Sequence, residues 1–368
     1  MLTQELKAYV KNECGIPLVR IAPVDDLSEK DMQALTKMNN TMAGYTPLYS
    51  EDTPTVQPSE FLDNAKALVV IGVNMYFGKR DLPGNPPRGE IMNFYVNADC
   101  LAYVSQRTQK IADFLTGKGY TAMSVPTGIP IKMIAARAGL GRYGKNAVIQ
   151  DKELGSWLGL MVIITDAPLE FDSPEEDDCG ECTLCQEACP TGALQGNYTC
   201  NIERCLTLHL VNNKGPLPYD IREQAGTILS HCNECLYACP KNANVPVQEK
   251  ISVPEEQVYP EVAKLVNLTD DAYQELYGGT FLEFMFMDKK YLQRNAAVVL
   301  GNLGDPDYIP VLAEALEGQP EELVRGHAAW ALGRIGTPAA REILDKRLAD
   351  EKTASVQEEI RHALEMSA

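Results

Sequence analysis

The sequence predicts three units in series: an α/β unit, a cysteine-rich unit suited to metal, and an all-helical repeat. Strand-like and helix-like segments alternate through the first 168 residues, nine of the eleven cysteines fall between Cys179 and Cys239, and a pattern of small residues recurs at a fixed offset near the end. With 368 residues and 45% apolar side chains, the chain has material for more than one core. The expected boundaries are 1–168, 169–250 and 251–368.

The first residues, MLTQELKAYVKNECG, read as an amphipathic helix. Candidate strands follow at Ile16 to Ala22, Ala67 to Val73, Thr121 to Val125 and Leu158 to Thr165, with helices at Ala98 to Lys118 and Ile129 to Ala138. That alternation predicts an α/β domain around a mixed or parallel sheet. The Gly/Pro-rich stretch Phe77 to Gly89 (FGKRDLPGNPPRG) reads as a long loop, of the kind that either borders a ligand site or simply connects. No apolar run approaches the ~18 residues of a membrane span, and no leader is apparent, so the expected location is the cytoplasm, with no membrane partner.

In a reducing compartment, cysteines at C-x-x-C spacing hold metal more often than they form disulfides. Cys179, Cys182, Cys185 and Cys189 complete a C-x2-C-x2-C-x3-C-P motif, and Cys232, Cys235 and Cys239 form a second, C-x2-C-x3-C-P. In two-cluster ferredoxins the cysteine before the proline ligates the other cluster. By that rule Cys179, Cys182, Cys185 and Cys239 hold one [4Fe-4S] cluster, while Cys189, Cys232 and Cys235 hold a second with one more ligand. Cys200 or Cys205 supplies it; Cys205, in a helix-like segment after NIER, is favoured. Zinc is the alternative metal, but two C-x3-C-P endings are a ferredoxin signature. Cys14, Cys100 and the unused member of the Cys200/Cys205 pair read as ordinary thiols. Two clusters in series form an electron wire, whose terminal acceptor belongs in the amino-terminal domain.

Beyond the cysteines, Asn295-Ala296-Ala297, Gly301, Gly304, Pro306, Leu312 and Leu316 recur thirty-two residues later as His327-Ala328-Ala329, Gly333, Gly336, Pro338, Leu344 and Leu348, and Val356 and Leu364 begin a third unit. Paired helices with small residues at their crossings describe a HEAT-like solenoid. From Thr280 onward it carries ten Lys/Arg against fifteen Asp/Glu, and the chain's net charge is -18, so no phosphate-binding surplus is visible. The acidic run Glu170 to Asp178 (EFDSPEEDD) reads as a solvated linker, with a docking patch for an electron donor as the alternative.

Read together, Ala136 to Asn146 (ARAGLGRYGKN), Gly155 to Trp157 (GSW), the two cysteine motifs, ERCLT at Glu203, and the NAAVVLGN and HAAWALGRIG segments resemble the epoxyqueuosine reductase family over nearly the whole chain. That family, like the related reductive dehalogenases, binds cobalamin in a nitroreductase-like α/β domain. It feeds the cobalamin through two [4Fe-4S] clusters of a ferredoxin-like domain and ends in HEAT-like helices. The resemblance implies Cys205 as the fourth ligand of the second cluster. It also implies a corrinoid at the AGLG-x-x-GKN loop, with Arg137, Gly139, Gly141, Tyr143, Lys145 and Asn146 as contacts. The resemblance further implies a base-off corrinoid with no protein histidine below cobalt, in keeping with the position of the four histidines, His209, His231, His327 and His362, all outside the first domain.

One departure bears on the chemistry. Family members carry V-D-T-[GA]-P before this helix, its aspartate being the proton donor to the substrate; here Ser124 to Pro130 reads SVPTGIP, and Val125 or Pro126 takes the aspartate's place. Tyr143, flanked by Arg142 and Lys145, is the candidate replacement acid, since adjacent cations favour a phenolate. The other reading of Tyr143 is a packing or corrinoid-contact residue. The leading functional reading is therefore an oxidoreductase: a cobalamin-dependent iron-sulfur reductase. It would use cob(I)alamin to remove a group from a small organic substrate and be fed by a ferredoxin- or flavodoxin-type donor. The alternatives are epoxyqueuosine reduction in tRNA and a non-catalytic electron-transfer or corrinoid-reducing partner.

Overall fold

The structure, a computed structural model, describes residues 1–25, 58–82, 84–125, 129–174, 178–285 and 288–366. In the first unit the apolar runs become strands β1 (Leu18–Pro23), β2 (Ala67–Asn74), β3 (Ala122–Val125) and β6 (Leu158–Thr165), while β4 (Arg142–Tyr143) and β5 (Ile149–Gln150) make a separate ribbon. The main sheet has the order β1-β2-β6-β3, and every neighbouring pair is antiparallel. The expected mixed or parallel sheet is thus corrected. Helices cover both faces, so β2 is apolar on both sides (ALVVIGVN) and mimics the pattern of a buried parallel strand.

Helices α1 (Leu2–Asn12) and α2 (Ala98–Gly117) supply the first cover, burying Leu6, Val10, Ile111 and Leu115 against Val69, Ile71 and Ile163. Asn97 sets the start of α2 by accepting a hydrogen bond from the Asp99 N–H. The second cover is α3 (Ile131–Arg137) with the β4–β5 ribbon, packed on Leu68, Val70, Val125 and Val162. The acidic run is part linker, part anchor: Asp172 pairs with Lys7 at 2.6 Å and accepts from the Ile21 N–H, while residues 175–177 lie outside the described residues.

The repeat becomes α4 (Lys289–Leu303), α5 (Ile309–Gly318), α6 (Glu322–Ile335), α7 (Pro338–Asp350) and α8 (Ala354–Met366). Its recurring glycines have two jobs. Gly304 and Gly336 close α4 and α6 in the left-handed conformation, both at φ +66°. Gly301 and Gly333 let neighbouring helices touch, since an added Cβ would lie 2.8 Å from Cα of Ala331 and 2.7 Å from Cα of Ala363, respectively.

Packing does not separate the cysteine-rich unit from the repeat at the expected 250/251 boundary. One apolar core runs from Ile91 through Leu206, Leu210, Leu229 and Val258 to Leu292, Trp330 and Ile360. Arg294 reinforces it: fully buried, it donates to the carbonyls of His209, Leu210, Asn213 and Gly215, in and beyond the π-helical turn Leu208–Asn212. The Gly/Pro-rich loop is a tie that also borders a cavity of about 380 Å³, lined by Arg80, Arg88, Glu90, His231 and Tyr237 among others. Gly89 N–H donates to the Pro260 carbonyl, Ile91 N–H to Val258 and Val262 N–H to Pro87. Among the described residues no helix is long and apolar enough to cross a membrane.

Two substitutions test this packing. Gly333→Ala should lower stability by about 1–3 kcal/mol through overpacking at Ala363, read as a lower thermal midpoint. Arg294→Met should lower the midpoint further, because it leaves several buried carbonyls without a donor.

Candidate functional site

Each cysteine motif folds as an open loop closed by one turn of helix. Leu184–Glu187 carries Cys185 and Glu234–Tyr237 carries Cys235, and the two turns pack against each other. Each is followed by a Cys-Pro tail, and the tails reach across. Burial raises the Cys185 thiol, and the sulfurs of Cys239, Cys179 and Cys182 raise it further, so these four lie together. Burial likewise pushes Cys235 up to about 12, assisted by Cys232, Cys205 and Cys189, and pushes Cys232 up to about 11, assisted by Cys205 and Cys189. Cys200 also lies beside Cys205, Cys189 and Cys235, so both candidates for the eighth ligand stand at the second group. Among the described residues no three His, Cys, Asp or Glu side chains are grouped to hold a single metal ion.

The Cys200/Cys205 ambiguity takes a geometric form. The Cys200 thiol donates to the Cys205 sulfur, which lowers the pKa of Cys205 below the ordinary range against the effect of burial; N–H groups of Leu208 and Thr207 act in the same direction. The fit to clusters extends to N–H donors on sulfur: Ala193 N–H lies 3.2 Å from Cys189 Sγ, and Lys145 N–H lies 3.5 Å from Cys179 Sγ. Cys14 and Cys100 are buried thiols, and burial pushes Cys100 up to about 12.

The ARAGLGRYGKN segment sits directly on the first set. Gly139, at φ +67°, ends α3, and Gly141 packs so closely on β5 that an added Cβ would lie 2.5 Å from the Gln150 carbonyl oxygen. Both glycines are thus required by protein packing. Arg142 places Nη1 and Nη2 each 3.9 Å from Cys179 Sγ, and Lys145 Nζ donates to the carbonyls of Gly180 at 2.6 Å and Cys182 at 3.1 Å. Arg137 donates to the Asp25 carbonyl, and Asn146 is buried with its Nδ2 lacking a protein acceptor. On the opposite side, Lys132 of α3 interacts electrostatically with Cys200 and Cys205.

Arg142 and Tyr143 are consecutive strand residues and face opposite sides of the ribbon. The half-buried Tyr143 ring packs on the sheet core, while Arg142 and Lys145 are engaged at the cysteine loop and do not flank the phenol together. Val125 is fully buried in that same core, and Pro126 lies outside the described residues.

The GSW segment docks onto the second motif. Asn242 Oδ1 accepts from the Ser156 N–H at 2.7 Å, and an added Cβ on Gly155, at φ +53°, would lie 2.0 Å from the same oxygen. Trp157 packs between Tyr76 and Tyr237 in tilted contacts, with ring centroids 5.1 and 5.2 Å away. Sequence reasoning missed Gln150, a buried carboxamide between Cys179 and Cys239; its only signal was a polar residue ending an apolar pair of strand positions.

Two ferredoxin-type cysteine loops with interleaved tails, set beside a helix-covered sheet, mark an iron-sulfur oxidoreductase. Residues 178–242 match the family described as a 4Fe-4S double cluster binding domain, and residues 282–365 match HEAT repeats. Epoxyqueuosine reductase of Bacillus subtilis is 32% identical over 99% of this chain and 96% of its own length; that of Staphylococcus aureus is 30% identical over 96% and 93%. The crystal structure of an epoxyqueuosine reductase with an epoxyqueuosine-modified tRNA-Tyr stem loop superposes with a TM-score of 0.89 at 29% identity, covering 100% of this chain and 98% of the other. The Bacillus subtilis enzyme with its catalytic aspartate loop swung out of the active site gives 0.88, again at 29% identity, with 100% and 99% covered. The chain belongs to the epoxyqueuosine reductase family.

The fourth-ligand assignment has a direct test. Cys205→Ser should lose the iron of one cluster, whereas Cys200→Ser should keep both clusters; iron analysis of the two variants after anaerobic reconstitution decides between them.

Proposed function

We propose that the protein reduces epoxyqueuosine in tRNA. The observation that carries this reading is agreement with the family along the entire chain, including a relative seen with the modified stem loop. This reverses the order that the net charge and the missing aspartate gave from sequence, because local surface, not total charge, governs docking. In this reading Cys179, Cys182, Cys185 and Cys239 hold one [4Fe-4S] cluster, and Cys189, Cys205, Cys232 and Cys235 hold the other. A low-potential protein of ferredoxin or flavodoxin type supplies the electrons. The domain limits 1–168, 169–250 and 251–368 remain useful as functional divisions.

A corrinoid fits the ARAGLGRYGKN loop through the chemistry left open there: the buried Asn146 Nδ2 offers a hydrogen bond that no protein atom among the described residues takes. Arg137, Tyr143 and Asn146 would hold it, while Gly139 and Gly141 keep the loop low. Lys145 and Arg142 act one step back, fixing the cysteine loop against it. When bound, a corrinoid supplies low-potential electrons to the carbon being reduced. No histidine of this chain is placed to serve it, since His209, His231, His327 and His362 are held elsewhere, against Glu203, Tyr95, Leu323 and Tyr219 in turn.

Opening an epoxide requires a proton at the departing oxygen. Residues 121–137 contain no carboxylate, so the role passes to Tyr143. The same absence favours a second reading, in which the substrate is an organic molecule other than tRNA.

The test is anaerobic turnover of an epoxyqueuosine-modified anticodon stem loop. Reduction by the unmodified protein is expected, and Tyr143→Phe should retain both clusters and corrinoid binding while slowing turnover at least ~10²-fold. No turnover with both clusters and corrinoid in place would favour the second reading. Full activity of Tyr143→Phe would return the tyrosine to a packing role.

A further inference from the structure

The geometry points to Gln150 as a positioning residue that sets the reduction potential of the first cluster, an inference that rests on the cluster ligands proposed above. Gln150 ends β5 opposite Arg142 of β4, and the alternation of the strand sends Ile149 into the sheet core and Gln150 toward the cysteines. Its carboxamide is only 5% exposed, and Nε2 donates to Cys239 Sγ at 3.6 Å. The Cys179 thiol in turn donates to Oε1 at 3.8 Å. Ligation would remove that thiol proton, so the bond from Nε2 to Cys239 is the one that persists in the loaded protein.

The carboxamide is held in place from behind. Asn146 Oδ1 accepts from Nε2 at 3.5 Å, and Gly144 leaves the space in which the amide lies: an added Cβ there would sit 2.3 Å from Nε2 and 2.5 Å from Cδ. Gln150 thus touches the sulfurs from both ends of the crossed set, one from each cysteine motif. No contact to the second set is seen from Gln150 among the described residues.

Its physical effect has a definite sign. Reduction adds negative charge to a cluster and its sulfurs, so an N–H donor to a ligating sulfur stabilises the reduced form and raises the potential. Apolar replacement should lower the potential, and a carboxylate should lower it further. Burial strengthens both effects by removing competing water. The role is that of a local adjustment on the electron path, leaving the second cluster as it is.

The experiment is potentiometric titration followed by electron paramagnetic resonance on the anaerobically reconstituted full chain. The first-cluster signal is identified as the one lost in Cys179→Ser. In Gln150→Leu the first-cluster midpoint should fall by at least ~59 mV, which is tenfold in a one-electron equilibrium. In Gln150→Glu it should fall further, with the second-cluster midpoint unchanged in both. Gly144→Ala, which keeps the carboxamide but pushes it from its seat, should shift the first midpoint in the same direction. Unchanged midpoints in fully loaded Gln150→Leu and Gln150→Glu would overturn the proposal, as would an equal shift of both clusters. Failure of the ligand assignment itself shows separately, since Cys179→Ser would then remove neither signal.

Discussion

The exchange of Cys-Pro tails between two adjacent helical turns is the constraint on which the remaining structure depends. Cys185 and Cys235 ride on neighbouring turns, and each turn sends its last cysteine to the opposite set, Cys189 one way and Cys239 the other. Neither set can form from one motif alone. The intervening segment, residues 190–231, must therefore fold back on itself, and it does so around Leu206, Leu210, Leu217 and Leu229, which enter the largest apolar core. Metal ligation and core formation are in this way coupled in one segment.

That coupling explains why units with separate sequence signatures are packed as one body. Arg294 of α4 holds the carbonyls after Cys205, so the first repeat helix supports the segment that follows this cysteine. Burial pushes the Arg294 guanidinium down to about 9, and backbone carbonyls rather than a carboxylate satisfy it. On the other side, Arg142, Lys145 and Gln150 of the sheet unit converge on Cys179 and Cys239, while Asn242 of the second motif fixes the GSW turn. The sulfurs are gripped from both flanks, and the amino-terminal loop 77–92 ties the flanks together.

The parts legible in the sequence were those with short-range signatures. The cysteine spacing announced a double cluster domain, with the eighth ligand left between Cys200 and Cys205, and the thirty-two-residue period placed the repeat helices because Gly301 and Gly333 answer to the same contact geometry. Strand positions were legible, but their direction was not: covering helices erase the alternation that would mark β2 as antiparallel. Arg142 and Lys145 flank Tyr143 along the chain, yet strand alternation and the nearby cysteine loop draw them elsewhere. Gln150 and Arg294 carried little or no local signal, because what makes each important is a partner 89 or about 80 residues distant.

The central claim, that eight cysteines in two crossed sets of four hold the metal, is tested most directly by iron analysis with Mössbauer spectroscopy on the anaerobically reconstituted chain. The account predicts about eight iron atoms per chain, all in [4Fe-4S] form. About four iron atoms, or stoichiometric zinc in their place, would contradict it.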